Sequence, residues 1–375
     1  MPGLAAIAGK APFGLRHSHT LDDVVTDLAW SSDGKALLVG SAAGAVHRLD
    51  HGSEVTARWQ AHDGGITRLR LQPGDDRVLA SAGEDGKVAL WNSVDGEALS
   101  TLANENDWVE HLAWTPDGKV LAAAARKTIS LWQGTESLGM WYDARRHVLA
   151  MDWAPDGRRL ASAANKGLYL WRLGDAVTGD AEPVQLLTFP GAPVSVAWQP
   201  QGRALAVGTQ DGFLQVWRPT DTNNAARQLT MRGYPSKVNC LAWHPRRTVI
   251  ATAGGPDIVL WDMPVDRTDT KNGSAKGRPL RHHQATVTAI AWSADGRLLA
   301  SGDRNGRLCI WDENGDAVFS LALGSEITVV QWHPVNAVLS VADGDGRLHL
   351  VDRLQSDSGQ PVRQHPAREL RRAQD

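Results

Sequence analysis

Val109-Glu-His-Leu-Ala-Trp114, then Thr115-Pro-Asp-Gly118, then Val120-Leu-Ala-Ala-Ala124, and finally Thr128-Ile-Ser-Leu-Trp132 make up one short passage of this 375-residue chain. The first and last runs alternate apolar and polar side chains as half-buried strands do, and the middle run is short, apolar and bounded by turns. Pro-Asp-Gly supplies a fixed φ, a side-chain acceptor and a residue at ease with positive φ, which is turn chemistry. Three strands joined by two short turns form an antiparallel meander. A fourth run lies between such passages, for example Glu97 to Leu102 or Asp316 to Leu323, and completes a four-stranded sheet.

The passage recurs. Its first Trp falls at Trp30, Trp114, Trp153, Trp198, Trp243, Trp292 and Trp332, with Leu71 in that place in the second copy. The second Trp falls at Trp91, Trp132, Trp171, Trp217, Trp261 and Trp311, while Leu49 and Val351 stand near it in the terminal copies. The spacing averages about 43 residues, inside the range of propeller repeats and outside that of ankyrin or tetratricopeptide units. Eight copies of a four-stranded unit predict an all-β chain folded as a β-propeller of eight antiparallel blades. A seven-bladed ring with one stray copy is the alternative. No fourth strand follows the last copy, where Gln355-Ser-Asp-Ser-Gly359 reads as a loop, but Phe13 to His19 precedes the first copy at the right place. That N-terminal segment is therefore expected to complete the last blade and remove the open edges. The expected organisation is an arm over 1–12, the propeller over 13–352 and a basic, disordered tail over 353–375.

Composition narrows the function classes. The formal net charge is −3, so nothing global draws the chain to nucleic acid or to an anionic membrane. Two cysteines, Cys240 and Cys309, and the lack of a signal-peptide pattern or a long apolar run suit a soluble cytoplasmic protein without disulfides or a membrane span. Of 23 aromatic residues, 16 are Trp, so the repeat itself uses this side chain.

These residues resemble the WD-repeat family over roughly 13 to 352. Trp261-Asp262 and Trp311-Asp312 match the family's strand ending, whereas Trp132-Gln133, Trp171-Arg172 and Trp217-Arg218 depart from it. The resemblance implies a bracing set of His, Ser or Thr, Asp and Trp within a blade. The second copy offers His62, Ser81, Asp85 and Trp91; the seventh offers His283, Ser301 and Trp311, with Asn305 in place of the Asp. The other copies lack the set and are expected to rely on apolar packing.

Catalytic signals are sparse. Asp33, Asp117, Asp156 and Asp295 stand in Asp-Gly turns. His17 and His19, and His282 and His283, belong to separate blade junctions and do not converge as zinc ligands must. Both cysteines fall on strands, where they act as small apolar residues. No catalytic residue, cofactor or metal is assigned, and an enzyme or metal-binding propeller using axial carboxylates or histidines is kept as the alternative to a scaffold.

Recognition is then expected on loops held by the rigid ring. The resemblance places the loops leading into the first strands, and the turns between second and third strands, on one face. That face divides into an acidic sector (Asp343, Asp345, Asp22, Asp23, Asp63, Glu84, Glu105, Asp107) and a basic one (Arg126, Lys127, Arg145, Arg146, Lys166, Arg232, Lys237), with Tyr234 among the latter. Thirteen Trp fill the repeat positions, and Trp59 and Trp141 suit the fourth strand. Trp108 alone has no assigned place, and reads as an interface anchor. The expected partner-binding residues are Trp108, Asp107, Arg145, Arg146, Lys166, Arg232, Tyr234 and Lys237. The partners are one or more proteins, and the chain on its own is expected to be a monomer. A nucleic-acid binder would need stacking aromatics in the basic sector, and only Tyr234 is available. The segment from Asp262 to Leu280 is expected to be a flexible insertion on the opposite face.

Overall fold

The computed structural model describes residues 13–354 apart from 103–106, 143–146, 165–166, 175–184, 189–190, 219–228 and 264–274. Its described residues form eight four-stranded antiparallel sheets and no helix. Seven sheets are consecutive meanders. In the eighth, Phe13–Thr20 pairs with Arg347–Arg353, so the N-terminal strand closes the ring as expected. Phe13 is buried in the core cluster that holds Leu298, Phe319 and Trp332, which joins blades seven and eight.

The first strand of each blade lies innermost, and these strands neighbour one another in sequence order until the eighth meets the first. The core sits largely between blades: one cluster joins Val120 and Trp141 of blade three to Trp153 and Trp171 of blade four. Trp141 is 1% exposed and stacks on Trp171 with ring centroids 5.4 Å apart, as its fourth-strand position suggests.

The two Trp series do different work. Five indoles of the first series donate backwards to the preceding blade's inner strand: Trp114 to the Arg70 carbonyl, Trp153 to Ala113, Trp243 to Ala197, Trp292 to Ala242 and Trp332 to Ala291, at 3.0 to 3.3 Å; Trp30 donates instead to Ser340 Oγ of blade eight at 3.0 Å. The second series binds within its own blade. Trp91, Trp171 and Trp311 each donate to a second-strand serine, Ser81, Ser162 or Ser301, at 2.8 Å.

The bracing set of blade two is as expected. His62 lies 2.7 Å from Ser81 Oγ through Nε2 and 2.9 Å from Asp85 Oδ1 through Nδ1. Burial lowers the His62 pKa, so a neutral ring accepts from the Ser81 hydroxyl and donates to Asp85. Blade seven repeats the relay with one correction. His283 Nδ1 meets Asp303 Oδ2 at 2.9 Å, and Asn305 only donates its backbone N–H to Asp303 Oδ1. Asp303 ends the second strand opposite Val287, so the carboxylate comes from the strand end rather than from the turn.

Further blades carry variants, contrary to expectation. In blade six the Trp261 indole donates to the Tyr234 hydroxyl at 2.7 Å, and that hydroxyl meets Thr252 Oγ1 at 2.5 Å. In blade eight, third-strand His349 meets Asp343 Oδ2 at 3.0 Å and Ser18 Oγ of the closing strand at 2.8 Å. In blade one, third-strand His47 meets Asp22, which precedes the first strand, at 3.0 Å. The expected insertion also needs correction: Lys276–Leu280 is the fourth strand of blade six, paired with Ile258–Asp262.

Candidate functional site

One face, here called the upper, collects the loops leading into inner strands and the turns between second and third strands. A Cβ on Gly44, in such a turn of blade one, would meet the carbonyls of His62 and Gly64 in the loop entering blade two. The turns between first and second strands meet on the lower face, where Gly34 abuts His333 and Gly118 abuts the Pro73 carbonyl.

Trp108 stands on the upper face, one residue before the inner strand Val109–Trp114, and is 56% exposed. Among the described residues it takes no part in either Trp series. Asp107 beside it is held at 3.0 Å by Arg126 Nε, and Arg126 sits in the turn after Val120–Ala125 at φ 46°. The Arg126 carbonyl accepts from Val148 N at 2.6 Å, which ties this turn to blade four. Trp108 thus rises from a braced rim.

The expected partner residues do not all gather there. Arg232 and Lys237 are exposed, with the Arg232 guanidinium 5.0 Å from the Phe213 ring centroid. Tyr234 is half-buried and turns its hydroxyl into the blade-six brace, where burial raises its pKa. Arg145, Arg146 and Lys166 lie outside the described residues. Of the expected acidic sector, Asp343 is fully buried in the blade-eight brace, Asp22 is paired by Arg58 at 2.6 Å, and Glu105 lies outside the described residues.

Sequence reading missed a second asymmetry. The inner strands of blades one to four carry the half-buried Asp27, Arg68, Arg70, Glu110, His111 and Asp152, whereas Pro193–Trp198, Cys240–Trp243, Val287–Trp292 and Ile327–Trp332 carry no charge. The alternation of these strands was plain in the sequence; which charges share the axis follows only from ring order. Arg70 Nη1 meets Asp27 Oδ2 at 2.6 Å, and His147 Nε2 meets Glu110 Oε2 at 2.5 Å. Burial drives His111 down to about 3 and Asp152 up to about 7. A raised carboxylate near an axis is what an enzyme would show, yet Asp152 already has work: its Oδ2 accepts the Trp198 N–H of blade five at 2.7 Å. Asp27 Oδ2 accepts the Leu69 N–H of blade two at 3.0 Å in the same manner. Both are staples between inner strands. Among the described residues no three His, Cys, Asp or Glu side chains are grouped to hold a metal ion. Burial pushes the Cys240 and Cys309 thiols up to about 12, far from the thiolate a nucleophile needs.

Residues 14–47, 53–92, 96–133 and 141–172 match the family of the WD domain, G-beta repeat, and residues 184–322 match the family of the IFT140 first beta-propeller. The chain belongs to the WD-repeat family. Among curated relatives, this WD-repeat propeller is 25% identical to telomerase protein component 1 of Rattus norvegicus over 290 residues, which is 75% of the chain but 10% of that protein. It is 30% identical to the F-box-like/WD repeat-containing protein TBL1Y of Homo sapiens over 123 residues, 29% of the chain and 23% of that protein. The chain thus spans about a tenth of the first of these relatives and under a quarter of the second. Two solved structures share its fold. The computationally designed Ika8 protein has a TM-score of 0.73 at 21% identity, covering 88% of this chain and 96% of that one. The β-propeller domain of Cps50 (Swd1) from Myceliophteria thermophila has a TM-score of 0.63 at 20% identity, covering 91% and 99%.

Proposed function

We propose that this WD-repeat propeller is a non-catalytic scaffold that docks a partner protein on its upper face, with Trp108 as the anchor. The observation that carries the reading is the exposure of Trp108 in a fold whose other Trp residues all lie on strands. A large exposed ring on a braced rim costs little conformational entropy to immobilise, which is what an interface anchor requires. Lys237, Arg232 and, from the sequence, Arg145, Arg146 and Lys166 would steer an acidic partner to it, since rim charges act mainly on association rate. The same reading makes the protein cytoplasmic and monomeric until bound. A nucleic-acid role has only Tyr234 as a stacking candidate in the basic sector, and its hydroxyl is engaged in blade six.

The test is a pull-down from native lysate with wild type, Trp108→Ala and the double change Arg145→Glu with Arg146→Glu, each checked by circular dichroism. Truncating an anchor is expected to cost about 2 kcal/mol, roughly thirtyfold in affinity. The charge reversal is expected to slow association and alter its salt dependence. Folded variants that recover the same partners as strongly as wild type would remove the upper face from consideration.

A further inference from the structure

The lower face carries a feature that the proposed scaffold role does not use. A cavity of about 330 Å³ opens between the lower turns of blades six, seven and eight, and Arg246, Asp295, Arg297, His333, Val335 and Arg353 are among its lining residues. Its charges do not balance. Among the described residues Arg246 and Arg353 form no ion pair at contact distance: Arg246 acts on Asp295 only through space, and Arg353 lies over the Phe13 ring at 5.6 Å. Arg297 reaches Asp295 only at 3.8 Å with its side chain 80% exposed. Asp295, the single lining acid, is already engaged by Ser293 Oγ at 2.7 Å and the Arg297 N–H at 3.0 Å. Two positive charges are left over. Beside them Val335 is 71% exposed.

The walls are preorganised by one device used twice. His333 donates through Nε2 to the Gly34 carbonyl of blade one at 3.0 Å, and its Nδ1 accepts the backbone N–H groups of Val335 and Asn336, each at 3.0 Å. His244 does the same, with Gly296 of blade seven at 3.1 Å and the N–H groups of Arg246 and Arg247 at 3.0 and 2.9 Å. The receiving glycines stand at φ 71° and 76°, and a Cβ on either would lie 2.0 or 2.4 Å from the imidazole. Each His–Pro turn is thus locked to itself and to the neighbouring blade, so the backbone bearing Arg246 and Val335 needs no ordering when a ligand arrives.

We propose that this cavity binds an acidic linear segment of a partner protein, with two carboxylate side chains flanking an apolar one. Planar guanidinium groups pair with carboxylates through two parallel hydrogen bonds, and Val335 supplies the apolar contact that a free anion would not need. The size, at the lower end of ligand pockets, suits a few side chains of an extended peptide. The proposal does not rest on Trp108, which lies on the other face.

The experiment selects peptides from a random heptapeptide library on the full chain, then measures the recovered peptides by fluorescence polarisation. Recovered sequences are expected to be rich in Asp and Glu around an apolar residue, and to bind at least tenfold more weakly when Asn and Gln replace the acids. Arg246→Ser with Arg297→Ser, and separately Val335→Asp, should each weaken binding at least tenfold, while Trp108→Ala should not change it. The second variant keeps the test open if the first does not fold. Recovered peptides without acidic enrichment, unchanged binding to a folded variant, loss of binding in Trp108→Ala, or full displacement by millimolar inorganic phosphate would each overturn the proposal.

Discussion

Blades seven and five share one plan but are held together differently. Blade seven has four strands of six residues each, and its second, third and entering segments are joined by the relay from Trp311 through Ser301 and His283 to Asp303. In blade five the strands shorten outward from six residues to five, four and three. The place of Ser301 is taken by Val207, which offers no hydroxyl, and the place of Asp303 by Thr209, whose hydroxyl bonds within its own turn to Phe213. Blade five is fastened by its neighbours instead: Asp152 of blade four accepts the Trp198 N–H, Arg159 lies over the Trp198 ring at 5.2 Å, and Ser195 Oγ donates to the Val238 carbonyl of blade six at 2.7 Å. The polar brace is therefore one way to hold a blade and not a condition of the fold; closure of the ring lets stability be supplied from either side.

The strongest way to break this contrast is Asp303→Ala. Removing the carboxylate leaves a buried His283 N–H without its acceptor, and we expect a loss of about 3 kcal/mol in denaturant unfolding. Asn305→Ala should cost about 0.5 kcal/mol or less, as an ordinary surface turn change does. Equal midpoints for the two would return the bracing role to Asn305. Blade six sharpens the comparison as an intermediate case. Tyr234→Phe removes one hydroxyl but leaves the Trp261 indole 3.2 Å from Thr252 Oγ1, so the expected cost is about 1 kcal/mol. A neutral result would show that the Tyr hydroxyl braces nothing.

The two blades should also respond to pH in opposite senses. Burial holds the His283 pKa below its ordinary value, so as pH falls below about 6.5 the unfolded chain takes up a proton that the folded one refuses, and blade seven loses stability on acidification. Burial raises Asp152 to about 7, so between about pH 4 and 7 the folded state binds the extra proton, and the contribution of this buried carboxyl to stability falls as pH rises. Hydrogen exchange, corrected for its intrinsic pH dependence, should show blade-seven protection declining from pH 7 to 5 while blade five holds or gains. Parallel behaviour in the two blades would contradict both assignments. Smallest of all is the expected effect of Trp108→Ala on stability, within about 0.5 kcal/mol; a thermal melt that falls sharply would make Trp108 a packing residue.

Much of this was legible in the sequence. Trp spacing and turn chemistry give the blade, and the loop-like composition of 355–359, set against the strand pattern of Phe13 to His19, gives the closure, because both depend on local pattern. The braces were only half legible. His62 and Asp85 are 23 residues apart, whereas His283 and Asp303 are 20 apart, since one acid lies in a turn and the other at a strand end. Spacing alone prefers the turn position, and so selected Asn305. Blade one reverses the order, with Asp22 ahead of the first strand and His47 on the third, and Tyr234 replaces His by chemistry rather than by identity. The site is less legible still: elimination singled out Trp108 and the fold leaves it exposed, but the upper-face charge pattern counted Asp343, whose burial no local pattern reveals.

Closure by the N-terminal strand also fixes how the ring can be wired into something larger. Phe13 pairs with Arg353, and Arg353 lines the lower-face cavity, so chain on either side of the propeller leaves from adjacent points below it. A host sequence can therefore carry the ring as an inserted module whose two leads run side by side, and a short linker joining them would yield circular permutants opened at another blade. Phe13 and Arg353 thus mark a natural point of attachment on the side of the ring away from the rim that bears Trp108.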